Sequence, residues 1–106
     1  MPLYQRSAPN VSAKKLLEWS PRASGDLLAI ESFYADFSQN TADRVMAEIR
    51  RSALQLEIHA AIGRPGQVPD TRELVIASYP FTLVYRIIGS RVRVGRVLHQ
   101  HQKYPD

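Results

Sequence analysis

The segment RVRVGRVLHQHQKYP, from Arg91 to Pro105, gathers three arginines, two histidines and a tyrosine at the end of the chain. A histidine titrates near neutral pH and can move protons, and a tyrosine can donate one or stack on a base. Cleavage of RNA by its own 2′-OH needs a base, an acid and cationic stabilisation of the phosphorane, with no metal. His99, Tyr104 and Arg86 supply those residue types and form the candidate catalytic set. Arg64, Arg72, Arg96 and Lys103 are the candidate RNA and phosphate ligands. The plainer alternative makes His99 a satisfied side chain at a strand end. Arg91 and Arg93 read as charges that keep an edge strand soluble. Arg86 and Arg96 lie inside apolar strands, where an arginine needs a carboxylate or a function, and Glu73 is the candidate partner of Arg86. His99 and His101 share a face if the strand continues, but zinc needs a third ligand. Neither His59 nor Asp106 is fixed nearby, so no metal and no cofactor is expected.

Composition narrows the setting. The chain of 106 residues suits one domain, and 44% hydrophobic residues are enough for a core. With no cysteine, disulfides and thiolate metal sites are excluded. No apolar run is long enough to span a bilayer, and the first residues lack the apolar stretch of a secretory signal. The expectation is a soluble cytoplasmic protein with no membrane partner. The net charge of +4 is unevenly spread. From residue 63 onward, six arginines and Lys103 face only Asp70, Glu73 and Asp106. A positive field there suggests an anionic partner.

The elements that must position these residues follow from pattern. Residues 1–15 mix prolines and small polar residues and read as a flexible extension; residues 16–106 form the domain. LLEWS is a short strand, and Ser20-Pro21 starts a helix. That helix is expected to reach Phe37, with Leu27, Ile30, Tyr34 and Phe37 on one stripe. A second helix is expected from a cap at Asn40 or Thr41, with Asp43 in its first turn, to about Ile58. Its stripe is Ala42, Val45, Met46, Ile49, Ala53 and Leu56. GRPGQVPD reads as a loop, and GRPG is no phosphate-binding glycine motif because no strand leads into it. Three strands follow, joined by SYP and GS, with a bulge expected at Gly95. The order β-α-α-β-β-β predicts an α+β domain: a mainly antiparallel sheet with a helical hairpin on one face and the other face open to a ligand.

The motifs LEWSPRASGDLLAIESFYADF, GRPGQVPDTRELV, PFTLVYRI and RVLHQHQKYP, taken in order, resemble the RelE/ParE superfamily of toxins of bacterial type II toxin–antitoxin modules. These are often described as plasmid-stabilisation proteins. The resemblance spans roughly Leu16 to Pro105. It implies the same β-α-α-β-β-β fold and a cognate antitoxin that wraps the toxin. It also implies one of two targets. RelE-like members cut mRNA in the ribosomal A site; ParE-like members inhibit DNA gyrase. RelE-like nucleases usually place an arginine after the aromatic that opens the penultimate strand, whereas Thr82 follows Phe81 here. The nuclease, using His99 and Tyr104 with arginines on phosphate, is placed narrowly ahead of gyrase binding. An inactive toxin that retains antitoxin binding is the third reading.

Overall fold

The computed structural model describes residues 14–100. The chain forms β1 (Leu16–Trp19), α1 (Pro21–Ala35) and α2 (Gln39–Leu54). Two short 3-10 turns (Gln55–Glu57 and Ala60–Ile62) lead to β2 (Arg64–Pro65), β3 (Arg72–Ile76), β4 (Phe81–Ile88) and β5 (Arg91–His99). The sheet order is β1-β5-β4-β3-β2. Only the β1–β5 pair is parallel. The expected α+β architecture is present, with one strand more than the pattern shows. Arg64 and Pro65 pair with Glu73 and Arg72, inside the stretch read as loop. Glycine and proline there make a tight reversal rather than abolish pairing. The Gly66 amide donates to Thr71 O at 2.8 Å, and Asp70 adopts a left-handed φ of 65°.

The helix boundaries shift for local reasons. Ser20 caps α1 as expected, its Oγ accepting from the Ala23 amide at 3.0 Å, with Pro21 in the first turn. The helix ends at Ala35, short of Phe37, which is left exposed. Ser38, not Asn40 or Thr41, caps α2 by accepting from the Thr41 amide at 3.3 Å. Asp43 therefore lies beyond the first turn. At its other end α2 tightens into the 3-10 turn at Gln55 instead of running on to Ile58. The expected apolar stripe of α2 is fully buried, with Ser52 beside it. Each large member, such as Ile49 or Leu56, contributes roughly 1.5–3 kcal/mol by leaving water.

The core lies between α2, the inner side of α1 and one sheet face, which presents Phe81, Leu83, Tyr85, Val92, Val94 and Ile76. Tyr85 is fully buried and is polar only at its tip. Its hydroxyl donates to Ala60 O at 2.6 Å and accepts from the Gly63 amide at 2.9 Å. It thereby ties the irregular 55–63 segment to the middle of β4. Gly63 has no room for a side chain, because a Cβ would come within 2.6 Å of that hydroxyl.

The outer edge of β5 has two occupants. β1 pairs with it from Arg91 to Val94. Beyond that, the start of α1 takes over. The Ser20 amide donates to Val94 O and the Ser20 hydroxyl to Gly95 O, both at 2.9 Å. Asp26 accepts from the Val97 amide at 2.9 Å. Gly95 is the extra residue of a bulge, as expected: Val84 faces Arg96, whereas Tyr85 faces Val94.

Two stability predictions follow from these contacts. Tyr85→Phe leaves the Ala60 carbonyl and the Gly63 amide without their partner. It should lower unfolding free energy by about 1–3 kcal/mol in urea titration; an unchanged midpoint would show that the hydroxyl is dispensable. Burial also pushes the Tyr85 pKa above its usual value, outweighing the Gly63 hydrogen bond and the nearby Arg72. The unfolded chain therefore ionises first. Stability that is complete below pH 10 falls as pH rises toward the folded-state pKa, and Tyr85→Phe removes that component of alkaline loss. Second, Asp26→Ala strips Arg96 and the Val97 amide of their acceptor. Both side chains of that pair keep 18% exposure. The expected cost is thus roughly 2–4 kcal/mol, somewhat less than for a fully buried pair.

Candidate functional site

The candidate residues divide between the two faces of the sheet. His99 pairs with Phe81, whose side chain belongs to the helix-covered core. Its ring meets Phe81 edge-on at 5.8 Å. It lines a cavity of about 270 Å³ with Phe33, Tyr34 and Ile30 of α1. Arg86 lies five residues further along β4, on the opposite face. Five residues of strand span roughly 17 Å. The structure therefore does not bring His99 and Arg86 together around one phosphate. Tyr104, Lys103 and His101 lie outside the described residues. Among the described residues, no group of three or more His, Asp or Glu side chains is placed to hold a metal ion.

The arginines have specific partners. Arg96 donates from Nε and Nη2 to the Asp26 carboxylate at 2.9 and 3.2 Å, and this hydrogen bonding raises its pKa further. The structure thus gives Arg96 a structural partner, although its Nη1 is buried without one. Glu73 does not pair with Arg86 as expected. Its buried carboxylate accepts instead from Arg64 at 3.1 Å and from the Gln67 amide at 3.4 Å. Arg86 donates to Pro69 O at 3.1 Å. Arg72 lies beside Tyr85 on the core side and donates to the carbonyls of Gly63 and Ala61, at 2.8 and 3.4 Å. That contact reinforces the segment Tyr85 holds. Arg91 and Arg93 are not on an edge strand. β5 is internal, and both arginines reach Glu18 of β1, at 3.5 and 3.3 Å. The residues read as an N-terminal extension also join the body at its end. Lys15 N donates to Glu57 O at 2.8 Å, and Lys14 pairs with Glu57 at 3.5 Å.

What remains is a cationic sheet face. Register places Glu18, Arg64, Glu73, Val84, Arg86, Ile88, Arg91, Arg93 and Arg96 on the face away from the core. This face is only partly open. Thr82, Val84 and Leu98 are buried, whereas Arg86, Ile88 and Arg91 are exposed. Sequence reasoning missed Arg22, in the first turn of α1, which lines a groove on this face together with Arg86, Arg93 and Arg96. It also missed Asp26 and Glu18. Their signal lay only in the parallel pairing of β1 with β5, which no local pattern encodes.

Comparison with known proteins agrees with this architecture. The family model described as "ParE toxin of type II toxin-antitoxin system, parDE" matches residues 17–104. The chain is 36% identical over 94 residues to "Putative toxin Y4kP" of Sinorhizobium fredii, covering 89% of this chain and 97% of that protein. It is 29% identical over 91 residues to "Toxin RelE3" of Caulobacter vibrioides, covering 84% and 98%. A solved chain of the "Chromosomal ParDE TA system from P. aeruginosa" superposes with a TM-score of 0.75 at 26% identity, covering 82% of this chain and 97% of that one. An α-helical hairpin on one face of a mixed, mostly antiparallel sheet, matched by sequence along nearly its whole length, makes this chain a member of the ParE toxin family of type II toxin–antitoxin systems.

Proposed function

We propose that this toxin is neutralised by a cognate antitoxin and, when freed, arrests growth by binding DNA gyrase rather than by cutting mRNA. The observation that carries this reading is the separation of His99, on β5, from Arg86, on β4, on opposite faces of the sheet. An RNA-cleaving site needs proton-transfer groups and cations around one scissile phosphate. Among the described residues, the cations also have other work. Arg96 is bound to Asp26, Arg64 to Glu73, and Arg72 to backbone carbonyls. The matching family model is that of ParE toxins, the branch for which the resemblance implies gyrase as the target. The expected antitoxin partner rests on that assignment and on the likeness to a ParDE system. A gyrase target places the toxin in the cytoplasm, and no described helix is long and apolar enough to cross a membrane.

The test is a supercoiling assay with purified gyrase and relaxed plasmid. The protein should inhibit supercoiling in a dose-dependent way, and equimolar antitoxin should abolish the inhibition. His99→Ala and Tyr104→Phe should leave the inhibition within about threefold of the parent, since neither performs proton transfer in this reading. Unimpaired supercoiling, together with growth arrest that both substitutions abolish, would return the nuclease reading to first place. Absence of any growth effect would instead mark a toxin that retains only antitoxin binding.

A further inference from the structure

The outward side of α1 carries features that the fold does not use. α2 meets this helix on the side of Leu27 and Glu31, which line a crevice with Met46 and Arg50. Arg22, Gly25, Ala29, Phe33 and Asp36 lie on another side, spaced three, four, four and three residues apart, and all five are exposed. Phe33 stands 58% exposed, with the exposed Phe37 ring 5.4 Å away. A glycine inside a helix destabilises it relative to alanine. Yet a Cβ at Gly25 would meet nothing within 4 Å, so packing within the chain does not require that glycine. The end charges are also reversed for the helix's own dipole, which favours acids at the start and bases at the end. α1 has no acid in its first turn and no base in its last; Arg22 lies at its start and Asp36 at its C-cap. Neither forms an ion pair among the described residues.

An antiparallel neighbour corrects both ends, because each terminal charge then lies beside the opposite pole of the other helix. The spacing reads the same from either end, so a second copy of α1 is such a neighbour. Laid antiparallel about Ala29, it sets each Arg22 against the other copy's Asp36. Each Phe33 then falls on the other copy's Gly25, and the two Ala29 side chains meet at the axis. Large faces small and cation faces anion, so the two backbones can approach closely. An unrelated helix would have to match each feature separately; the same sequence reversed supplies all three at once. We infer that α1 is a self-association surface, through which two copies of this chain pair with antiparallel α1 helices centred on Ala29. The 15 residues of α1 span about 22 Å, which makes a small interface. The dimer is therefore reversible and forms at micromolar concentration. This inference goes beyond the proposed function and does not depend on the target.

Sedimentation equilibrium of the full chain at low salt, from about 1 to about 300 μM, tests it. The weight-average mass should rise reversibly from 12.0 kDa toward twice that value, and added salt should weaken the association. Gly25→Leu fills the seat of Phe33 at a position where the monomer has room. It should weaken the dimer by at least about tenfold and leave the melting temperature unchanged or higher. Arg22→Glu and Asp36→Arg each oppose like charges and should each weaken the dimer. An equal mixture of these two variants should recover the parent's association, because every such contact then joins opposite charges. The chain has no cysteine, so Ala29→Cys supplies a unique thiol. With diamide as oxidant it should form a disulfide-linked dimer, and Arg44→Cys, exposed on α2, should form far less. Circular dichroism checks that each variant is folded, and Gly25→Ala replaces Gly25→Leu if that one is not. A monomer at every concentration would overturn the inference. So would a dimer that survives Gly25→Leu, a mixture of the charge variants that stays monomeric, or equal cross-linking from Ala29→Cys and Arg44→Cys. Gyrase inhibition is measured separately, so the two readings fail independently.

Discussion

The junction of α1 with the outer edge of β5 is the constraint on which the arrangement depends. A strand edge carries amides and carbonyls that must find partners. β1 is too short to serve the whole of β5. It ends at Trp19, opposite Val94, and the chain turns directly into α1. Ser20 and Asp26 then complete the edge, with Ser20 on Val94 and Gly95 and Asp26 on Val97. The same Asp26 carboxylate holds Arg96, which the bulge at Gly95 has turned toward α1. One side chain thus fixes the entry angle of the first helix, closes the sheet edge and commits a cation that would otherwise face a ligand.

This commitment shapes the functional reading. Arginine richness in the second half of the chain invites a phosphate site, and several of those arginines prove to be structural. Arg64 covers a buried Glu73, Arg72 holds the carbonyls beside Gly63, and Arg96 is bound by Asp26. Arg22 and Arg86 have no carboxylate partner among the described residues, and Arg86 donates to Pro69 O. Arg96 and His99 are close in sequence but lie on opposite faces of the sheet. Alternation along β5 and pairing with β4 put His99 with Phe81 on the core side. In the proposed reading, the protein grips another macromolecule and does not assemble an acid and a base around one bond.

Much of the fold was legible because it rests on local pattern. The α2 stripe from Ala42 to Leu56 follows helical periodicity and is buried throughout. The Ser20-Pro21 start and the Gly95 bulge rest on backbone chemistry that single residues announce. The helix ends and the cap at Ser38 were less visible, since several polar residues in SQNT can each cap. The Arg64–Pro65 strand was hidden because glycine and proline flank it. The candidate site was legible only as an inventory of residue types. Its pairings join residues about seventy positions apart, such as Glu18 with Arg93 and Asp26 with Arg96. Such contacts depend on strand order, and a parallel β1–β5 pairing leaves no mark in either segment alone.

In the proposed reading this toxin acts by binding and not by cutting RNA. Mapping RNA 5′ ends across translated messages shortly after induction in growing cells tests it most directly. A toxin that acts by binding leaves an end profile like that of uninduced cells at the moment growth stops. New ends phased with codons, appearing before growth slows and absent when His99→Ala is induced instead, would contradict it.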